Sequence, residues 1–553
     1  MDAHESSALS EPIPSPSLMV SDSPAPSAVI SWVCQQCPFR REMSILRAER
    51  GYWHRMYQRA KAREEQLRES IKELEATLKL REQQLFGRKT EQRKGGSEQD
   101  APDNSPARKR GQQPGTKGHG RRRHEQLSIK EEFHELPAEE QCCPRCGLPY
   151  AEFPGTEDSD LVEVQVKAHV RRIRRKRYTP TCSCSELPVI IPAPGPAKLI
   201  PKGAYGDSVW IQVLLDKFLL YRPTFRLLES LKLLGVEISQ GTITGGLKRL
   251  AALVEPVYQA CVWRSQQEQH WHADETRWLV FEEVEGKVGY RWYVWVFKSV
   301  STVVYLLDQS RSSSVPKTHL KHVRESILSV DRYSAYKSLA KEQDGSLRLS
   351  YCWSHVRRDF LSLAKTGSDQ EIWAMEWVEQ INRVYHINNH RVAVREDAEA
   401  FAEADAQLRD ALERLHIQRD EQFADKELLL VQRKLLTSLK EHWDGLLIFV
   451  DHPEIPMDNN PAERALRGPV VGRKNFYGSG AQWSGKLAVM MFSLFQTLLL
   501  WKLNPKTWLG RFFRACAEHG GTVLDDVSVF LPWKMSTEEL EVYRRAPPQN
   551  EMA

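Results

Sequence analysis

The chain has 553 residues, too many for one hydrophobic core, so three or four domains are expected. Its 41% hydrophobic and 27% charged residues exclude an integral membrane protein and a wholly disordered one. A net charge of +5 is too mild to point to nucleic acid by itself, but basic residues concentrate in the N-terminal third.

Residues 1–63 read as a disordered tail and leader. The first thirty are dominated by Ser, Pro and Ala and lack a basic segment followed by an apolar one, so no secretory signal is expected. The longest apolar run, Leu487 to Trp501, is interrupted by Ser493 and Gln496 and is too short to span a bilayer, which points to a soluble intracellular protein. Cys34 and Cys37 form a C-x-x-C pair with no second pair beside it and read as incidental. Residues 64–94 carry Leu67, Ile71, Leu74, Leu78 and Leu85 at alternating four- and three-residue steps, with Arg81 at the one polar seam position. That is how a dimerising coiled-coil helix is written, although a lone amphipathic helix has the same pattern over so short a length.

Residues 95–135 form a Gly/Pro/Ser-rich linker holding Arg108, Lys109, Arg110, Arg121, Arg122 and Arg123, a charge run that suits either DNA phosphates or solvent. Residues 136–190 read as a zinc-ribbon-like module. Cys143 and Cys146 supply one pair of thiolates, with Cys142 as a substitute for Cys143, and Cys182 and Cys184 supply a tighter second pair. With ten cysteines and no secretory signal, structural Zn²⁺ fits better than disulfides. Between the pairs Val162, Val164, Val166, Ala168 and Val170 alternate like a half-buried strand, which runs into the basic stretch Arg171, Arg172, Arg174 and Arg175.

After a Pro-rich hinge from Pro192 to Pro201, residues 202–256 are helical. Leu227, Leu228, Leu231 and Leu234 precede a turn at Gly235, and a second helix from Gly241 to Val254 carries Lys248 and Arg249. This is a helix-turn-helix pattern or two packed helices with no DNA role; the paired Gly245 and Gly246 make a poor recognition helix.

Residues 268–515 change to strand periodicity and form the expected catalytic domain. Strands are predicted at Trp271 to Phe281, Tyr290 to Phe297 and Val303 to Leu307. A helix at Lys317 to Glu325, a strand at Ile327 to Val330, a further helix and a strand at Leu347 to Cys352 follow. This β-β-β-α-β-α-β order is that of an RNase H-like α/β core. It puts Asp274 within the first strand and Asp331 at the end of the fourth, its expected neighbour, where hard carboxylate oxygens suit Mg²⁺. Asp458-Asn459-Asn460-Pro461 starts a helix, and Glu463 falls in its first turn, where a simple capping role is equally natural. Trp373, Trp377, Ile381 and Val384, then Leu408, Leu412 and Leu415, predict an all-helical insertion at about 361–450. Residues 516–553 read as a C-terminal tail.

Five ordered stretches carry a resemblance. Leu85-Phe86-Gly87-Arg88-Lys89-Thr90-Glu91, His272-Ala273-Asp274-Glu275-Thr276 and Val330-Asp331-Arg332-Tyr333-Ser334-Ala335-Tyr336 are similar to those of insertion-sequence-66 family transposases. So are Cys352-Trp353-Ser354-His355-Val356-Arg357-Arg358 and Asp458-Asn459-Asn460-Pro461-Ala462-Glu463-Arg464. The resemblance implies a multidomain α+β DDE transposase in which Asp274, Asp331 and Glu463 bind Mg²⁺ or Mn²⁺ and catalyse phosphoryl transfer. His355 and Arg464 would stand beside that site, His355 either orienting a carboxylate or phosphate or simply packed. Arg357, Arg358, Arg467, Arg473 and Lys474 would serve flanking phosphates. Terminal inverted repeats and target DNA are the implied partners, with a homo-oligomer, accessory proteins of the same element and a cytoplasmic, nucleoid-associated location; holding transposon ends is the implied task of the insertion. A catalytically broken DNA-binding regulator and a nuclease that cuts without joining are the rival readings.

Overall fold

In a computed structural model, described residues are 38–86, 129–137, 140–151, 159, 161–164, 166–181, 190–366 and 370–545. They fall into two units, divided between Arg81 and Glu82. Among the described residues the first holds one long helix, α1 (Pro38–Phe86), up to Arg81. It begins well before the expected start near residue 64, because the segment upstream is rich in Arg, with Ala, Glu and Met among its other good helix formers, and has no internal proline. Leu67, Ile71, Leu74 and Leu78 are exposed along it.

In the second unit, the described residues between 129 and 198 make little regular structure. The valines expected to form a strand carry no regular secondary structure and are exposed, with Val164 and Val170 at 85% and 90%. The alternation is real, but among the described residues no partner strand takes it up. Two-residue strands β1 (Arg177–Tyr178) and β2 (Ile191–Pro192) pair antiparallel.

From Leu199 onward the chain packs densely. Helix α2 (Asp207–Leu214) runs into a π-helical turn at Leu215–Leu219, followed by α3 (Thr224–Leu233) and α4 (Gln240–Ser265). The turn after α3 is set by Gly235 at φ 79°. Its N–H donates to Lys232 O and that of Val236 to Leu231 O, a Schellman closure, and Ser239 then caps α4 through Thr242 N–H. Gly246 lies against the face of Trp210, so the glycine serves close helix packing. These helices pack together with the sheet. Leu214, Phe218, Leu250 and Val257 share one core with the sheet and the C-terminal helices.

The central sheet holds β3 (His270–Leu279), β4 (Arg291–Lys298) and β5 (Val303–Asp308). After α5 (Ser314–His319) come β6 (Ser326–Val330), α6 (Ser334–Glu342) and β7 (Leu347–Tyr351). The strand order is β5-β4-β3-β6-β7, with β3, β4 and β5 an antiparallel meander and β3, β6 and β7 parallel. Alternation along β3 divides its side chains. Trp271 and Ala273 enter a core with Leu328, Val330 and Tyr336, whereas Trp278 enters the opposite core.

Helix α7 (Trp353–Ala364) leads into the predicted helical insertion, α8 (Glu371–Ala393), α9 (Ala398–Ala424), α10 (Leu430–Glu441), α11 (Trp443–Leu446) and α12 (Ile448–Asp451). Its core includes Trp377, Ile381, Leu408 and Leu436 and is separate from the sheet's two cores. The chain returns with α13 (Asn460–Phe476), which packs on β3 and β4, and α14 (Gln482–Leu500), which packs on β5 and α4. By length and composition α14 alone among the described helices is apolar enough to cross a membrane, but it is the central core helix: Met491, Phe495 and Leu498 are fully buried. The expected tail is also structured. Helix α15 (Pro505–Glu518) and α16 (Thr537–Arg544) bracket Phe530 and Leu531, and Trp508, Phe530 and Tyr543 join the main core.

Candidate active site

The parallel pairing of β3 with β6 matches His272 to Ser329. The pairing ends there; Asp331 follows directly on β6, two residues beyond Ser329 as Asp274 is two beyond His272, so continued alternation would turn both to one face of the sheet. Each carboxylate spends one oxygen on backbone. Asp274 Oδ1 accepts from Glu275 N–H at 2.8 Å, and Asp331 Oδ1 accepts from Tyr333 N–H at 2.9 Å, which leaves their other oxygens for the site. On this face lies α13, started by Pro461 in its first turn, and Glu463 projects from that turn. Its carboxylate stands 3.6 Å from His355 Nε2 and 3.7 Å from an Arg358 Nη, both from α7.

Two of the acids act on the third. Burial, then the neighbouring Glu275, then Asp331 and Glu463, push Asp274 up to about 8. His355 is lowered by burial and by Arg358, against the pull of Glu463 and Asp331. Its Nδ1 is buried without a hydrogen-bond partner. Among the described residues no three His, Cys, Asp or Glu side chains close on one point at metal-ligand distance. The donor set nonetheless suits a hard divalent cation: three carboxylates, from β3, from the residue after β6 and from the first turn of α13, whose repulsion at the buried Asp274 a cation would relieve.

Three supporting residues escaped the sequence reading. Glu275, on the opposite face, is almost wholly buried and binds Arg311 and the Tyr336 hydroxyl, the latter at 2.8 Å. Burial raises it, and Arg311 and Tyr336 hold it down. Arg311 also stacks on Tyr333, so the loop after β5 is fastened to the segment following Asp331. Asn459 is buried at the start of α13. Its Nδ2 donates to Ala273 O at 2.7 Å, its Oδ1 faces His272 Nδ1 at 3.1 Å, and its backbone N–H donates to Cys352 Sγ at 3.1 Å. Burial and His270 lower His272 to about 3, so it is neutral and donates from Nδ1. A buried Asn beside a helix start was the one signal available in sequence, and it resembles an ordinary cap.

The other predicted residues are scattered. Arg464, Lys474, Lys248 and Arg249 are exposed, as are Arg171, Arg172, Arg174 and Arg175. Arg473 is turned inward instead, donating to Thr276 Oγ1 and Arg277 O, so it ties α13 to β3. Cys143 and Cys146 sit on a tight turn closed by Cys143 N–H to Leu148 O and Gly147 N–H to Cys143 O, both 2.8 Å, with Gly147 at φ 72°. Backbone N–H groups of Arg145 and Cys146 lower the Cys143 thiol. Cys182 and Cys184, the basic residues Arg108, Lys109, Arg110, Arg121, Arg122 and Arg123, and the Cys34/Cys37 pair lie outside the described residues.

The family profile described as "Transposase IS66 family" matches residues 202–487, more than half the chain. The chain belongs to the IS66 transposase family. The matched region takes in all three acids, the helices before the sheet and the insertion, and this membership makes DNA the expected partner. Three relatives from Sinorhizobium fredii (strain NBRC 101917 / NGR234) are similar over much of their length. "Uncharacterized protein y4jD" is 26% identical over 422 residues, 73% of this chain and 80% of the relative. "Uncharacterized protein y4hP" is 23% identical across 71% of this chain and 73% of its own, and "Uncharacterized protein y4qI" is 24% identical across 64% and 66%. The likeness to these relatives covers more of the chain than the family profile does.

Proposed function

We propose that this chain is a DDE transposase that cuts the 3′ ends of an insertion sequence and joins them to target DNA on an RNase H-like sheet. The observation that carries the reading is Asp274 in β3 and Asp331 directly after the parallel neighbour β6, with Asp331 and Glu463 both close enough to raise Asp274. The strand order, a three-strand meander continued by two parallel strands, supports the same core.

Asp274, Asp331 and Glu463 would hold Mg²⁺ or Mn²⁺, which supplies Lewis acidity toward the attacking and leaving oxygens when bound. The strands keep the two aspartates fixed, since Ala273 and Val330 beside them are locked in the sheet's core. Arg358 neutralises Glu463 in the free protein and is exposed enough to turn toward a phosphate oxygen. His355 shares that carboxylate and is kept largely neutral by burial and Arg358, so it orients Glu463 without competing as a second fixed cation. Exposed Arg464 and Lys474 on α13 supply flanking phosphate contacts. A structural Zn²⁺ on Cys143 and Cys146, completed by Cys182 and Cys184, would staple the N-terminal module, whose basic residues bind the terminal repeats. Homo-oligomerisation through α1, accessory proteins of the element and a cytoplasmic, nucleoid-associated location belong to the same reading.

The test is a strand-transfer assay on labelled, pre-cut ends of the element, with the parent and Asp331→Asn. Joined products lost in the variant are expected. Cleavage without joining would make the protein a nuclease, and DNA binding with neither reaction would make it a regulator.

A further inference from the structure

Glu463 must come to the two aspartates from a different layer of the protein, and the element that brings it is a helix entered after the long insertion. Something has to fix the start of α13 against β3. Among the described residues, Asn459 is placed for this. It is 1% exposed, immediately precedes α13, and spans three separate segments. Its amide donates to Ala273 O, the carbonyl next to Asp274 in the chain. Its carbonyl accepts from the neighbouring His272, and its backbone N–H reaches Cys352 at the head of α7, the helix of His355 and Arg358. Its own backbone carbonyl accepts from Ala462 and Glu463 N–H, at 3.1 and 3.3 Å. A helix start joined to the strand by two side-chain hydrogen bonds cannot slide by the ångström or so that would misplace a ligand.

We propose that Asn459 is the positioning residue that sets the third carboxylate against the first two, by bonding β3 at His272 and Ala273 to the first turn of α13. The proposal rests on the reading of Asp274, Asp331 and Glu463 as a divalent-ion site. Asn459 touches neither the ion nor DNA; it acts through Glu463. Asparagine suits the place because it offers a donor and an acceptor from one short side chain. Aspartate would set a negative charge against Ala273 O, and alanine would leave both the carbonyl and His272 without partners.

The experiment measures Mn²⁺ binding to the full chain by loss of the free-ion resonance in electron paramagnetic resonance, alongside melting curves and DNA cleavage. Asn459→Ala is expected to fold, to bind Mn²⁺ at least about tenfold more weakly, and to need correspondingly more Mn²⁺ for half-maximal cleavage. The strand side supplies a second arm that leaves α13 untouched. His272→Asn, whose Nδ2 reaches the place of the imidazole Nδ1, is expected to keep near-parental affinity. His272→Leu, which removes the donor, is expected to lose it. Equal Mn²⁺ affinity in folded Asn459→Ala and the parent would overturn the proposal. Should Asn459→Ala fail to fold, equal affinities of the two His272 variants would overturn it instead. Asp331→Asn separates the two levels: if the parent has no Mn²⁺ site that this variant removes, the metal reading itself is wrong and the positioning role falls with it.

Discussion

Replacing Asp274 by Asn should make the metal-free protein more stable, and increasingly so as pH rises. Asp274 is pushed from the usual 3.8 to about 8, first by burial and then by Glu275, Asp331 and Glu463. Between those values the folded protein keeps a proton that the unfolded chain releases. The unfolded state therefore binds fewer protons, and parental stability falls as pH rises through this window and levels off above about 8. At about 1.4 kcal/mol per pH unit the whole effect has a ceiling of roughly 6 kcal/mol, and water entering an open site reduces it to about 2 kcal/mol. For a protein of this size that is a melting difference of about 2–4 °C. The assay is a melting curve in EDTA at pH 5 and pH 8 for parent and Asp274→Asn. The variant should melt higher at both, with the larger gap at pH 8, and millimolar Mg²⁺ should close or reverse the gap because only the parent gains a full ligand set. A gap that shrinks from pH 5 to pH 8, or identical curves throughout, would refute the reasoning.

Gly246→Ala should destabilise the fold by about 1–3 kcal/mol, because its new methyl would strike the Trp210 ring, whereas Gly245→Ala, with open space around it, should stabilise α4 by up to about 1 kcal/mol; chemical denaturation of both reads the contrast. Arg391→Ala removes a buried guanidinium that binds Asp405 at 2.6 Å and the carbonyls of Phe449 and Val450. Amide exchange should show faster opening of the helical insertion, by about 3–5 kcal/mol, with the sheet unaffected. Metal analysis of the purified chain should give one zinc per molecule, lost in Cys146→Ser, while cleavage by Asp331→Asn should fall by at least about a thousandfold with DNA binding kept.

The sheet was legible because its strands are rich in Trp, Tyr and Val, and the order of elements, with alternation inside each strand, put Asp274 within β3 and Asp331 at the end of β6. The insertion was legible for the same reason at helical spacing. What failed was context. The valines at 162–170 alternate as a strand does, yet pairing needs a neighbour that local pattern cannot reveal. The helices before the sheet read equally as a helix-turn-helix or as two packed helices, and only tertiary packing shows that Leu250 shares a core with the sheet. The expected tail hid Phe530 and Tyr543, each isolated in sequence and buried only by tertiary packing. At the site, Glu463 carried no physical signal that distinguished it from a helix cap and was reached through resemblance. Glu275, Arg311 and Asn459 act through contacts between residues far apart in the chain and could not be read from spacing. Arg473 shows the reverse error, since a cation expected on phosphate is engaged by Thr276 and Arg277.

The central claim is that one divalent ion is shared by two strands and a helix. Anomalous diffraction from Mn²⁺-soaked crystals tests it most directly. The account predicts a peak bonded to carboxylate oxygens of Asp274, Asp331 and Glu463 at about 2.0–2.3 Å. A peak elsewhere, or one that leaves Glu463 still paired with His355 and Arg358, would contradict it.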